Sequence, residues 1–209
     1  MNEIERTQRR TRGYWYRDGI AELVGGVALA LVGVPLMASA RTGFEMLSTI
    51  ALMGMILLFP ASAKVVRLLK DRITHTRTGY VKYPQPTMSK RRKIILASLF
   101  LAVAIAMLVA LWGGEYTLDS LAGRVLLIGS GAAMAVAFAI RAIKLRMPRM
   151  FIIAVATAAV TGVNGFAGIG FTEGFGLLLA ILGATSVITG AVTLIAYIRR
   201  HPKPPVDAS

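Results

Sequence analysis

The chain has 209 residues, 24 Lys and Arg against 10 Asp and Glu, a formal net charge of +14 and 56% hydrophobic residues, with a mean hydropathy of +0.65. A soluble domain of this length keeps a polar surface and stays well below that hydropathy, and the lack of cysteine excludes disulfides, thiolate nucleophiles and cysteine-based metal sites. In a soluble protein the charge would point to nucleic acid; in a membrane protein it marks the cytoplasmic side, and nucleic acid is not expected as a partner.

Apolar runs of about 20 residues, the length that crosses a hydrocarbon core of roughly 30 Å, recur at 19–40, 44–66, 94–112, 121–140, 151–171 and 175–198. Such runs must be helical, because lipid offers the backbone no hydrogen-bond partner. The predicted fold is an all-α integral membrane protein with six transmembrane helices in three short-looped hairpins. A single membrane domain, 19–198, follows a basic cytoplasmic flank, 1–18; a cytoplasmic loop, 67–93, interrupts it, and a tail, 199–209, ends the chain.

The flank carries Arg6, Arg9, Arg10, Arg12 and Arg17, and Tyr14-Trp15-Tyr16 stands where headgroup-level aromatics usually lie. Span one ends in Ala38-Ser39-Ala40, a small-x-small pattern of the signal-peptidase kind, but its apolar run is long and contains Glu22. A turn at Arg41-Thr42-Gly43 leads to span two, where Pro60 removes a helix bond and clashes with the Ile56 carbonyl, so a kink is expected. The segment 64–93 follows with ten of the 24 Lys and Arg, and its middle reads Thr-Arg-Thr-Gly-Tyr-Val-Lys-Tyr-Pro. Gly113-Gly114 ends span three. Gly129-Ser130-Gly131 in span four reads as close helix packing. Arg141, Lys144, Arg146, Pro148 and Arg149 form the next basic turn, and Thr172-Glu173-Gly174 connects spans five and six. The prolines after His201 stop the last helix.

Five of the Lys and Arg lie in the flank, ten in the central segment, four after span four and three in the tail; only Arg41 and Arg124 fall on the other side, with Glu45, Glu115, Asp119 and Glu173. That division is a strong positive-inside signal. It predicts both termini in the cytoplasm, in a plasma membrane of the bacterial inner-membrane type.

Two ionisable residues lie inside spans, where charge is costly and faces protein or water. Glu22 shares a helix face with Gly26, Ala30 and Gly33, the composition of a packing interface. It is expected to pair with Arg17 or another basic side chain, or to bind a proton or cation near the cytoplasmic mouth. Arg124 is expected to snorkel or to pair with an outer carboxylate. Thr157, Thr161 and Asn164 form a stripe on span five, and Thr185, Ser186 and Thr189 lie in a comparable region of span six. As neighbours in a hairpin the two are expected to face each other, as interhelical hydrogen bonds of about 0.6 kcal/mol each or as the wall of a polar pathway. Gly162 and Gly165 beside Asn164 would let the helix open, as at transport sites. Arg77, Tyr80, Lys82 and Tyr83 are candidates for contact with a partner protein or lipid.

The sequence has no phosphate loop, no dinucleotide fingerprint, no Gly-x-Ser-x-Gly and no His-Glu-x-x-His. No catalytic residue, metal site or cofactor is expected. The expected partners are the bilayer, with anionic headgroups on the cytoplasmic side, a second copy of the chain, and a cytoplasmic protein. Two functions follow: a small oligomeric transporter or channel for an ion or small solute, or a non-catalytic membrane subunit or regulator that docks a cytoplasmic partner through 64–93.

Overall fold

The computed structural model describes residues 17–74, 77 and 121–202. The predicted span 94–112, the residues Tyr80, Lys82 and Tyr83, and most of the flank and tail lie outside them. The described residues form five helices, α1 (Ile20–Thr42), α2 (Met46–Ile73), α3 (Leu121–Leu145), α4 (Pro148–Ala167) and α5 (Phe171–Arg200), and no strand. Four of these, α1, α3 from Gly123, α4 and α5, are long and apolar enough to cross a membrane. The fifth, α2, also qualifies when its halves Met46–Leu58 and Pro60–Ile73, bent by 51°, count as one span. The bend falls at the expected proline.

The exterior is what a lipid-facing surface requires. Leu31, Leu57, Ile143 and Phe166 are exposed, whereas Glu22, Lys70, Thr157 and Asn164 are buried. A water-soluble protein buries the first set and exposes the second.

Helix limits and hydropathy limits differ in both directions: α4 ends at Ala167, four residues short of the predicted 171, while other ends run on. α2 continues two turns past the predicted end at 66, and α5 begins at Phe171, so Thr172, Glu173 and Gly174 belong to a helix and not to a turn. The α4–α5 turn is instead Gly168-Ile169-Gly170, made by Gly168 in the left-handed region at φ 64°. Likewise α1 continues to Thr42, and Gly43, at φ 70°, donates its N–H to Ser39 O at 2.9 Å. Hydropathy reports where apolar residues stop; a helix stops where the backbone finds a cap.

α3 ends in a Schellman arrangement. Met147 N donates to Ala142 O at 3.1 Å, and Arg146 N faces Ile143 O at 3.4 Å. Ala142 and Met147, the two ends of the 3.1 Å bond, are both buried in the same apolar cluster. The left-handed position of this motif usually holds glycine, yet here it is Arg146, at φ 52°. An L-residue in that conformation costs about 1–2 kcal/mol.

The most extensive contact joins α1 to α5, which are distant in sequence. Gly19, Gly26 and Gly33 recur every seven residues on α1, as Gly176, Gly183 and Gly190 do on α5. They meet in antiparallel register: Gly19 against Gly190, Gly26 against Gly183, Gly33 against Gly176. A Cβ on Gly183 would stand 2.6 Å from Ala30 N, and one on Gly190 2.6 Å from Leu23 N. The backbones therefore touch, over about 21 Å of helix, and a seven-residue repeat on both sides keeps them touching. The face of the last helix that carries Ser186, expected to meet span five, is taken by the first. Val32 and Leu36 of α1, Ala51 of α2, Leu127 of α3 and Phe175, Leu178 and Leu179 of α5 form the adjoining apolar core.

Candidate functional site

One end of the bundle gathers the buried charge. Asp18 precedes α1, and its Oδ1 accepts the Ile20 N–H at 3.2 Å. Its Oδ2 accepts the Lys70 ammonium at 2.8 Å and the Thr74 hydroxyl at 3.0 Å. The carboxylate thus ties the last turn of α2 to the start of α1, where the helix dipole favours negative charge. Both side chains of the ion pair are almost completely buried.

One turn further along α1, Glu22 meets Arg149 in the first turn of α4. Arg149 Nε donates to Oε1 at 3.0 Å and lies 2.9 Å from Oε2, which receives no hydrogen bond of its own among the described residues. A cation in the first turn of a helix opposes its dipole, and Glu22 offsets that. Asp18, Glu22, Lys70 and Arg149 carry two charges of each sign, so the cluster is neutral. Buried pairs of this kind add little net stability but are costly to break.

At the same end Arg77, from the central basic segment, closes α5. Its Nη1 donates to His201 O at 2.9 Å and lies 3.5 Å from Ile198 O. The last carbonyls of a helix lack internal partners and carry partial negative charge, so a guanidinium serves them well. The His201 ring stacks on Tyr197 at 4.5 Å. At the opposite end an exposed pair, Arg41 Nε to Glu173 Oε1 at 2.7 Å, links α1 to α5. Arg124 is exposed beside Gly168 and forms no ion pair among the described residues; of its four candidate partners Glu173 belongs to Arg41, and Glu115 and Asp119 lie outside the described residues.

The two polar stripes do not face each other. Thr157 and Thr161 are buried and give their hydroxyls to Ile153 O and Thr157 O of their own helix, each at 2.7 Å. Thr161 also packs on Gly131 of α3, a contact that leaves no room for a Cβ there. By contrast a Cβ on Gly129 would meet nothing within 4 Å among the described residues, so among them only Gly131 of the two glycines around Ser130 is a packing position. On α5, Thr185 bonds Ile181 O at 2.7 Å and Thr189 bonds Thr185 O at 2.9 Å, while Ser186 lies against Gly26 of α1. In an apolar surrounding a hydroxyl that bonds the carbonyl four residues back is satisfied without water.

Asn164 alone reaches across, its Nδ2 donating to Gly174 O at 2.8 Å. Its Oδ1 is buried with no donor among the described residues. α4 stays helical through Gly162 and Gly165 to Ala167, so the expected opening of the helix beside Asn164 does not occur. Among the described residues no three His, Asp or Glu side chains come together as a metal ligand set.

Reading the sequence by spans missed Asp18, Lys70, Thr74 and Arg149, because each lies beyond the limit that hydropathy assigned to its span. The available signal was a cation and an anion, each about one turn past an apolar limit, on segments that return to the same side. No protein-family model matches the chain, and neither a curated protein nor a solved structure is similar to it.

Proposed function

We propose that the chain is a multi-pass protein of a bacterial-type plasma membrane that acts as a non-catalytic membrane subunit or regulator, docking a cytoplasmic protein through the basic segment 64–93. The observation that carries this reading is that most polar groups inside the described spans already have partners within the fold. The hydroxyls of Thr157, Thr161, Thr185 and Thr189 are used by their own helices, and Glu22 lies beside a guanidinium. A permeation path needs polar groups left for the solute. The docking segment is anchored where it starts, by Lys70 on Asp18 and Arg77 on the end of α5. The anchored residues leave Tyr80, Lys82, Tyr83 and the basic run 90–93 as its recognition chemistry.

Six spans with both termini inside form the topology of this proposal, and 19–198 is its single membrane domain. Helix polarity supports it. α2 ends, and α4 begins, at the end that holds the charge cluster. α3 begins at the other end, where Arg124 lies beside the α4–α5 turn. The chain between α2 and α3 therefore leaves from one end and returns at the other, which supports an odd number of crossings, for which the apolar run 94–112 is the candidate.

Transport is the second reading, favoured by the orphaned Asn164 Oδ1. Proteoliposomes loaded with a pH-sensitive dye or with radiolabelled sodium separate the two. Docking expects background flux from both the parent and Asn164→Leu, together with a cytoplasmic protein that co-purifies only when residues 77–83 are intact. Flux abolished by Asn164→Leu, or a partner retained after 77–83 is scrambled, would overturn it.

A further inference from the structure

The α3–α4 turn carries a feature that the docking reading does not use. Ile143, Met147, Phe151, Ile152 and Val155, together with Arg146, line a shallow apolar groove of about 710 Å³. Ile143, Phe151, Ile152 and Val155 are largely exposed, so the groove opens on the outer surface of the bundle. From Pro148 to Val155 it runs about 10 Å along α4, away from the charged end. A smaller groove at the same end repeats the composition, with Val192, Ile195 and Ala196 beneath Arg199 and Arg200.

Arg146 is not consumed by the fold. Arg149, three residues on, is held by Glu22, but the Arg146 side chain is exposed and makes no ion pair or hydrogen bond among the described residues. The position is one where glycine would be at ease and where arginine is held at φ 52°. Arg141 and Lys144, also exposed, lie one turn before it. A cation in the lining of an apolar groove, on the side where basic residues gather, matches one kind of occupant in charge and in length. We infer that this groove binds a phospholipid with an anionic headgroup, its phosphate at Arg146 and one acyl chain along Phe151, Ile152 and Val155. A zwitterionic headgroup would bring its own cation up against Arg146 and is disfavoured. The inference rests on the membrane reading and on the cytoplasmic placing of this end, where anionic lipid and basic pockets between helices meet.

The test places the photoreactive residue p-benzoylphenylalanine at Ile152 in the full-length chain, reconstituted with dioleoyl phosphatidylglycerol or dioleoyl phosphatidylcholine. Crosslinking to phosphatidylglycerol should exceed that to phosphatidylcholine about fivefold, the effect of one cation near the surface. In the Arg146→Gly background the preference should fall to near parity while the melting temperature holds or rises, because glycine suits that backbone. Ala156→Trp, which fills the groove from below, should reduce crosslinking to both lipids. Parity in the parent, a preference unchanged by Arg146→Gly, or crosslinks to a second copy or to residues 94–112 would overturn the inference. An alkaline carbonate wash separates this from the membrane reading. A chain that stays with the membranes but shows parity overturns the lipid site alone, whereas release into the wash overturns both.

Discussion

Replacing Gly26 by alanine should loosen the α1–α5 contact, while the same change at its neighbour Gly25 should not. The new Cβ at 26 would stand 2.7 Å from Gly183 O and from Val187 N, whereas one at 25 meets nothing within 4 Å among the described residues. Ordinary contact begins near 3.4 Å, so the helices must part by about 0.7 Å. The neighbouring atoms are backbone and have no rotamer through which to yield. A gap of that size forfeits about a quarter to a half of the dispersion energy of each atom pair it opens, and overpacking of a close contact typically costs about 1–3 kcal/mol. Gly26→Ala should therefore lose about 2–3 kcal/mol, and Gly25→Ala should be neutral or gain up to about 1 kcal/mol from helix propensity. The pair can be read by equilibrium unfolding in mixed micelles, with helicity followed against the mole fraction of dodecyl sulfate. Because Gly26 and Gly183 face each other, adding Gly183→Ala to Gly26→Ala should cost less than the two changes made separately. Equal stability of Gly25→Ala and Gly26→Ala would refute the close contact.

In the same unfolding assay Lys70→Ala should cost about 3–5 kcal/mol, because it leaves the buried Asp18 carboxylate unpaired. Pairing Lys70→Met with Asp18→Leu should restore most of that loss. Arg41→Ala, which removes an ion pair whose arginine side chain is 61% exposed, should cost less than about 1 kcal/mol. Pro60→Ala should straighten α2: with the 51° bend removed, spin labels at Met46 and Asp71 should move apart by about 4 Å, measurable by double electron–electron resonance in a chain that has no native cysteine.

The helical, membrane-spanning character of the chain could be read from the sequence because hydropathy is a sum over many residues. The helix over 19–40 and the kink at Pro60 each follow from a term large enough to survive local exceptions. Helix ends did not follow, since Gly43, Gly168 and Arg146 decide them by backbone conformation and not by polarity. The partner of span six did not follow either. The glycines at 176, 183 and 190 were visible, but the sequence neighbour, span five, was the default partner, and the matching spacing at 19, 26 and 33 had to be compared across the whole chain. Glu22 was recognisable as a buried carboxylate facing other helices because small residues share its face. Its specific partner, Arg149, was not, because pairing across 127 positions depends on the geometry of the whole bundle.

The topology can be tested most directly by single-cysteine labelling in intact cells with a membrane-impermeant maleimide. Cysteines placed at Glu45, Glu115 and Thr172 should react from outside, and those at Thr78, Lys144 and Lys203 only after the membrane is permeabilised. Labelling of Glu115 on the same side as Thr78 would remove the crossing between α2 and α3 and contradict the six-span bundle with its charged end in the cytoplasm.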